Sequence, residues 1–102
     1  MDQKKIKEIA KVIIELQQQA VVHILSIWKP EVERIINSKS KDSKVIEHAL
    51  DALCEVAFDD EALLLFKKLC RYYYDIDQLA TEDYIQFYRE MWDNEDETES
   101  IE

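Results

Sequence analysis

The strongest candidate for chemistry in this 102-residue sequence is a cluster of ionisable residues that one helix would bring to a single face. His48 and Asp51 stand three residues apart, with Glu47, Cys54 and Glu55 on the same arc. Histidine and carboxylate side chains are common metal ligands. A metal site in a helical bundle, however, uses paired Glu-x-x-His motifs that point inward, whereas this arc is the polar one. We therefore expect no metal and no cofactor here.

Nucleophilic catalysis has little support in the sequence. The carboxylates on the Cys54 arc should raise the pKa of its thiol, and a raised pKa makes a thiol less reactive. Cys70 falls on an apolar arc instead. The chain contains no glycine, so it cannot form a glycine-rich loop that cradles phosphates. We expect that the protein is not an enzyme.

The same polar arc, together with the aromatic residues, suggests binding to another protein. Nine of the ten aromatic residues lie between Phe58 and Trp92. They either fill the core between short helices or form a partner-binding surface, because tyrosine and tryptophan dominate interface hot spots. The residues that we predict to bind a partner are Leu64, Tyr72, Tyr74, Tyr88, Trp92, Glu47, Asp51 and Glu55.

The elements that must position these residues are all helical. With no glycine and one proline, the chain lacks the residues that hairpin turns need. Apolar periodicity predicts an all-α, up-and-down bundle with main helices at 4–28, 43–57, 60–76 and 81–92. Pro30 followed by acidic residues favours a break and a short helix over 30–37. The alternative is that the first helix continues through Pro30 with a kink.

The first helix is the element around which the sequence predicts the rest to pack. Its apolar arc covers roughly 180°, more than one neighbouring helix can cover. We therefore expect at least two neighbours, or one neighbour and a second subunit, and a homodimer. Gln17 falls within this arc, so it either bonds a neighbouring helix or lines a subunit interface or ligand pocket. His23 lies at the edge of the arc.

Charge is distributed unevenly along the chain. The net charge is −10, yet residues 1–44 carry nine basic against six acidic residues, and residues 45–102 carry four against seventeen. The two parts could attract each other within one chain or between antiparallel protomers, an effect that salt weakens. Six acids lie in residues 93–102, which we predict to be a disordered acidic tail after a single domain over 1–92. No basic face is large enough to predict direct nucleic-acid binding.

The predicted location is the cytoplasm. The apolar stretch of the first helix is interrupted by Glu15 and by glutamines at 17–19, so we expect no membrane span. Two cysteines without a signal-peptide pattern are typical of a reducing compartment.

These observations favour a non-enzymatic protein–protein interaction module, such as a small regulator, adaptor or inhibitor. The alternative is an acidic mimic of nucleic acid that inhibits a basic DNA- or RNA-binding protein. A third hypothesis is a bundle that holds a small ligand or a metal ion behind Gln17 and His23.

Overall fold

Four α-helices and no strands make up residues 3–92, the part of the chain that the computed structural model describes. They are α1 (Gln3–Asn37), α2 (Ser43–Glu55), α3 (Asp60–Tyr74) and α4 (Gln78–Trp92). Consecutive helices pack against each other, and α1 also packs against α3. The prediction of an all-α helical bundle is therefore confirmed. The predicted acidic tail at 93–102 lies outside the described residues.

The core lies where α2, α3 and the second half of α1 meet. On α2, apolar residues recur every three to four positions, so they form one face of the helix and are fully buried. From α3, Phe66, Leu69 and Tyr73 pack against this face. Val32 and Ile35 of α1 close the core from the other side. The buried residues of α2 in this cluster are Ile46, Ala49, Leu50, Leu53 and Cys54.

Aspartates begin α2 and α3 by capping free backbone N–H groups. The Asp42 carboxylate accepts from the Lys44 N–H, and the Asp59 carboxylate accepts from the Ala62 N–H at 3.1 Å. Asp60 and Glu61 follow in the first turn of α3, where negative charge interacts favourably with the helix dipole. The predicted start of this helix at residue 60 is confirmed.

The prediction of a helix break at Pro30 was wrong. The helix α1 continues through Pro30 to Asn37, and no separate helix exists over 30–37. Proline in a helix interior costs about 3 kcal/mol because it lacks the N–H donor. Trp28, Val32 and Ile35, however, recur at helical spacing and pack into the same core. Their burial on one continuous helix outweighs that cost.

The last helix begins at Gln78 rather than at the predicted residue 81, so its capping residue lies before Gln78. Asp77 takes that role, since its carboxylate accepts from the Ala80 N–H at 3.1 Å. Thr81 lies inside α4 and is buried, with its hydroxyl donating to the Asp77 carbonyl oxygen at 2.8 Å.

Candidate functional site

The first half of α1 projects away from the bundle. No residue between 3 and 20 is buried, whereas Val21, Val32 and Ile35 in the second half are. At about 1.5 Å per residue, the projecting half, residues 3–20, extends roughly 27 Å. The expectation that the bundle packs around residues 4–28 is therefore correct only for the second part of that range. The other helices are too short to reach the first part.

An aliphatic stripe runs along the projecting half and, interrupted by His23, continues to Ile27. We call it the α1 stripe, and its members recur with alternating spacings of three and four residues, the spacing of a coiled-coil seam. It lies about 100° around the helix from the residues that face the core, at 100° per residue. Ile9 is 46% exposed and Leu16 is 59% exposed, so nothing in the described residues covers them. The α1 stripe comprises Ile6, Ile9, Ile13, Leu16, Ala20, His23 and Ile27.

A second candidate surface is a groove of about 610 Å³ between α3 and α4. Its floor is apolar, with Leu63, Phe66, Ile85 and Tyr88. Its wall on α3 carries cations as well as Tyr74, one of the predicted binding residues. The charged residues that line it are Lys67, Arg71, Asp75 and Arg89.

Leu64 lies beside this groove on the outer side of α3. It is 67% exposed, and Lys67, Arg71 and Tyr74 follow at helical spacing on the same side. Leu64 and Tyr74 are among the residues predicted to bind a partner, and both are exposed. The helical pattern also places Lys67 and Arg71 on the outer face of α3, but their meeting with Arg89 was not predicted, because it depends on how α3 packs against α4.

The other aromatic residues of the predicted site have partners within the bundle. The Tyr72 hydroxyl donates to the Ser40 carbonyl oxygen at 2.6 Å. Tyr88 packs against Phe66 with ring centroids 5.9 Å apart. Trp92 packs against Phe58 at 5.2 Å, and its Nε1–H donates to the Cys54 carbonyl oxygen at 2.7 Å. The side chains of Tyr72, Tyr88 and Trp92 therefore stabilise the fold through these contacts, and each is still partly exposed.

The acidic ridge of α2 is divided between the fold and the solvent. The carboxylate of Glu47 accepts the hydroxyl of buried Tyr73 and is half-buried. Asp51 and Glu55 are exposed. His48 is also exposed, and its ring lies 5.4 Å from that of Trp28 on α1.

Gln17 and His23 are both exposed and lie on the outer part of α1. The helical wheel places Gln17 among apolar residues, but none of the described helices covers that position, so the side chain is exposed. Gln17 lines an open surface groove of about 630 Å³ with Phe58, Asp59 and Asp60. The role of Gln17 and His23 at a subunit interface stays a prediction.

The two thiols have surroundings that disfavour nucleophilic chemistry. Cys54 is buried rather than on the polar face as predicted, because α4 covers it through Trp92. Burial raises the pKa of Cys54, and the nearby carboxylates of Asp51 and Glu55 raise it further. Burial, with a smaller contribution from Cys54, raises the pKa of Cys70 to about 12. Both thiols therefore stay protonated at neutral pH.

Residues 3–92 contain no group of three or more His, Cys, Asp or Glu side chains arranged to hold a metal ion. No helix within that range is long and apolar enough to cross a membrane.

No known protein family, curated protein or solved structure matches this chain. Its functional interpretation therefore depends on the surfaces described above.

Proposed function

We propose that this protein is a non-enzymatic protein–protein interaction module, a small regulator, adaptor or inhibitor, that acts as a homodimer in the cytosol. The observation that carries the proposal is the uncovered α1 stripe. Ile6, Ile9, Ile13 and Leu16 each keep about half of their surface in water. Complete burial of such a side chain is worth about 1.5–3 kcal/mol, so roughly half of that remains available to a binding partner at each position.

The α3–α4 groove supports a second contact, with a different protein. Its apolar floor lies beside Lys67, Arg71 and Arg89, in a chain whose net charge is −10. This local excess of cations fits a partner segment in which apolar side chains are flanked by carboxylates. Tyr74, which lines the groove, and Leu64, one helical turn before Lys67 on the same side of α3, form what we call the rim. Both are exposed and supply the apolar contacts that such a segment needs.

The cytosolic part of the proposal draws on the cysteines. Cys54 and Cys70 are both free, and oxidising compartments favour paired cysteines.

The acidic-mimic alternative has weaker support. A mimic needs carboxylates arrayed on rigid structure, and on α2 only Asp51 and Glu55 of the three ridge acids are exposed while Glu47 bonds Tyr73. Other acids lie near the start of α3, where Asp59 caps the helix and Glu61 pairs with Lys29 at 2.8 Å. We therefore do not propose it as the function.

The test compares protein capture from the source cell by the wild-type chain and by two variants. Leu64→Ser with Tyr74→Ser removes the apolar rim of the groove, and Lys68→Ser on the same helix is its matched control. Binding of the captured protein is then measured with purified components by calorimetry. Loss of a hot-spot residue costs at least ~2 kcal/mol, so we expect the rim variant to bind roughly 30-fold more weakly or worse.

The result that contradicts this proposal is equally concrete. A captured protein that binds wild type, the rim variant and an α1-stripe variant with equal affinity uses none of these surfaces. Capture of basic nucleic-acid-binding proteins that modest salt releases would support the acidic mimic instead.

A further inference from the structure

We infer that the occupant of the α1 stripe is the α1 stripe of a second copy of this chain, packed in the antiparallel direction. This inference depends on the proposed homodimer and specifies its interface and orientation. Each projecting half then lies along the partner's α1 and ends beside the partner's bundle.

The spacing of the stripe favours another helix as the occupant. Over Ile6, Ile13, Ala20 and Ile27 the sequence repeats every seven residues, with Ile9, Leu16 and His23 between them. A heptad seam is complementary to another heptad seam, because side chains of one helix fit between four residues of the facing helix. Since Ile27 is 44% exposed, the seam stays open where α1 already packs on the bundle. A partner helix can therefore follow it beyond the projecting half.

The other helices of the same chain cannot fill this seam. The described residues of α2, α3 and α4 pack against one another, and α2 and α3 also pack against the second half of α1. None of these helices exceeds 15 residues. The helices α2 and α3 bury their apolar faces in the core, and α4 packs against both of them while its Phe87 and Met91 stay exposed. A second copy, in contrast, supplies a stripe of the same length that also lacks a partner.

Charge selects the antiparallel orientation. Residues 3–20 carry four lysines against two glutamates, a net of +2. Residues 42–61, which form α2 and its turn into α3, carry seven acids against one lysine, a net of −6. These residues pack beside the second half of α1. An antiparallel pair brings the basic end of each chain to the acidic bundle of the other, whereas a parallel pair brings eight lysines together at one end.

The position of the acids around α2 fits this orientation. His48 contacts Trp28, so its edge of α2 lies next to α1. Glu55 is two helical turns further along that edge and is exposed. Lys4, Lys5 and Lys7 of an antiparallel neighbour extend toward this side of the bundle. The contact is electrostatic and exposed, so it sets orientation rather than most of the affinity.

The first experiment measures the mass of the full chain by sedimentation equilibrium over a range of concentrations. We expect a dimer for wild type and a monomer for Ile9→Glu with Ile13→Glu, which introduces charges into the seam. Val22→Glu is the matched control, because Val22 is exposed on α1 but lies off the stripe. Tryptophan fluorescence checks that the bundle, which contains both Trp28 and Trp92, remains folded.

The second experiment measures orientation. A spin label is attached to Lys4→Cys in the full chain, where the native Cys54 and Cys70 are buried. With Ile6 of one chain opposite Ile27 of the other, the rise per residue and the usual spacing of packed helices place the two labels about 35–40 Å apart in an antiparallel dimer and about 10–15 Å apart in a parallel one. Raising salt is expected to weaken the dimer, and Lys4→Glu with Lys7→Glu to weaken it further at low salt.

Each outcome decides the inference separately from the proposed function. A wild-type chain that stays monomeric at concentrations on the order of 100 μM overturns self-association, as does a dimer that the stripe variant leaves intact. A label distance in the short range overturns the antiparallel orientation alone. In any of these cases, a partner protein lost from the Leu64 and Tyr74 rim variant still supports the interaction module.

Discussion

The two halves of α1 belong to one helix and have similar aliphatic content, yet they have different surroundings. In the second half, Val32 and Ile35 are fully buried against α2 and α3. In the first half, Ile9 and Ile13 are about half exposed. The difference shows that an amphipathic pattern specifies which side of a helix is apolar, but not whether the chain contains anything to cover it.

The projecting half is a helix whose stability comes from elsewhere. An isolated helix of this length is marginal in water, because nucleation is unfavourable and most helical stability in proteins comes from packing. The second half removes the nucleation cost, since its packed turns continue directly into residues 3–20. The α1 stripe then supplies the packing energy only when a partner covers it.

The sharpest test of this comparison replaces one isoleucine in each half. Ile35→Ala is expected to lower the free energy of unfolding by about 2–5 kcal/mol, because it leaves a cavity in a fully buried site. Ile13→Ala is expected to change the unfolding of the monomeric bundle by less than about 0.5 kcal/mol. Urea titrations followed by tryptophan fluorescence, at a concentration where the protein is monomeric, measure both.

Equal decreases in the free energy of unfolding for Ile35→Ala and Ile13→Ala would contradict this difference between the two halves of α1. Such a result would mean that the bundle covers Ile13 in solution. The concentration dependence of Ile13→Ala distinguishes the two possible origins of any loss, since a contact with a second copy disappears on dilution and an intramolecular contact does not.

A change of intermediate size is expected at Pro30, within the packed half. Pro30→Ala restores an N–H that can donate to the Ser26 carbonyl oxygen in the helical i→i−4 pattern. Because Pro30 is exposed, the substitution alters no core contact. We expect the free energy of unfolding to rise by up to about 3 kcal/mol, and the urea midpoint measures it. A decrease would mean that the proline sets a bend that the core requires.

Pro30 also marks one limit of what the sequence could predict. Proline followed by acidic residues favours a helix start, and this local signal competes with the burial of Trp28, Val32 and Ile35 on one continuous face. Local rules assign no energy to contacts between distant segments. The packing of α1 against α2 and α3 therefore decided a question that the residues around Pro30 left open.

Where local and tertiary signals agreed, the sequence was sufficient. The period of Ile46, Ala49, Leu50 and Leu53 predicted the buried face of α2, and these four residues form part of the core. The burial of Cys54 was not predictable in the same way. It depends on α4 passing over the end of α2, which brings Trp92 to the Cys54 carbonyl oxygen.

The candidate site was predictable only in part, for a related reason. Leu64 and Tyr74 were predicted to bind a partner, and both side chains are exposed, as a binding residue must be. The groove beside them forms only when α4 brings Arg89 and Tyr88 next to Lys67 and Arg71. The length of the projecting half was also not predictable, because the sequence does not determine locally how far the other helices extend along α1.

The smallest expected effect is a dependence of the free energy of unfolding on alkaline pH through a tyrosine. It belongs to the packed region, since residues 3–20 contain no tyrosine. Burial, reinforced by the Asp51 and Glu47 carboxylates, raises the pKa of Tyr84 above its usual range. Because the folded state holds this proton more tightly than the unfolded state, stability is constant below about pH 10 and falls as pH rises further. Tyr84→Phe should make this alkaline decline shallower, by less than about 1 kcal/mol at pH 11, because the partly exposed phenol is screened by water.

Urea midpoints between pH 8 and pH 11 measure the slope, with Tyr74→Phe on the exposed side of α3 as the matched control. The Tyr84 hydroxyl also donates to the Glu47 carbonyl oxygen at 3.3 Å, so the variant starts from a slightly lower stability at pH 8. That offset is independent of pH, whereas the contribution from the raised pKa appears only above about pH 10. If Tyr84→Phe leaves the slope unchanged, the alkaline loss of stability comes from other groups of the packed region. Tyr73 is then the next residue to replace, because burial is the main cause that raises its pKa as well.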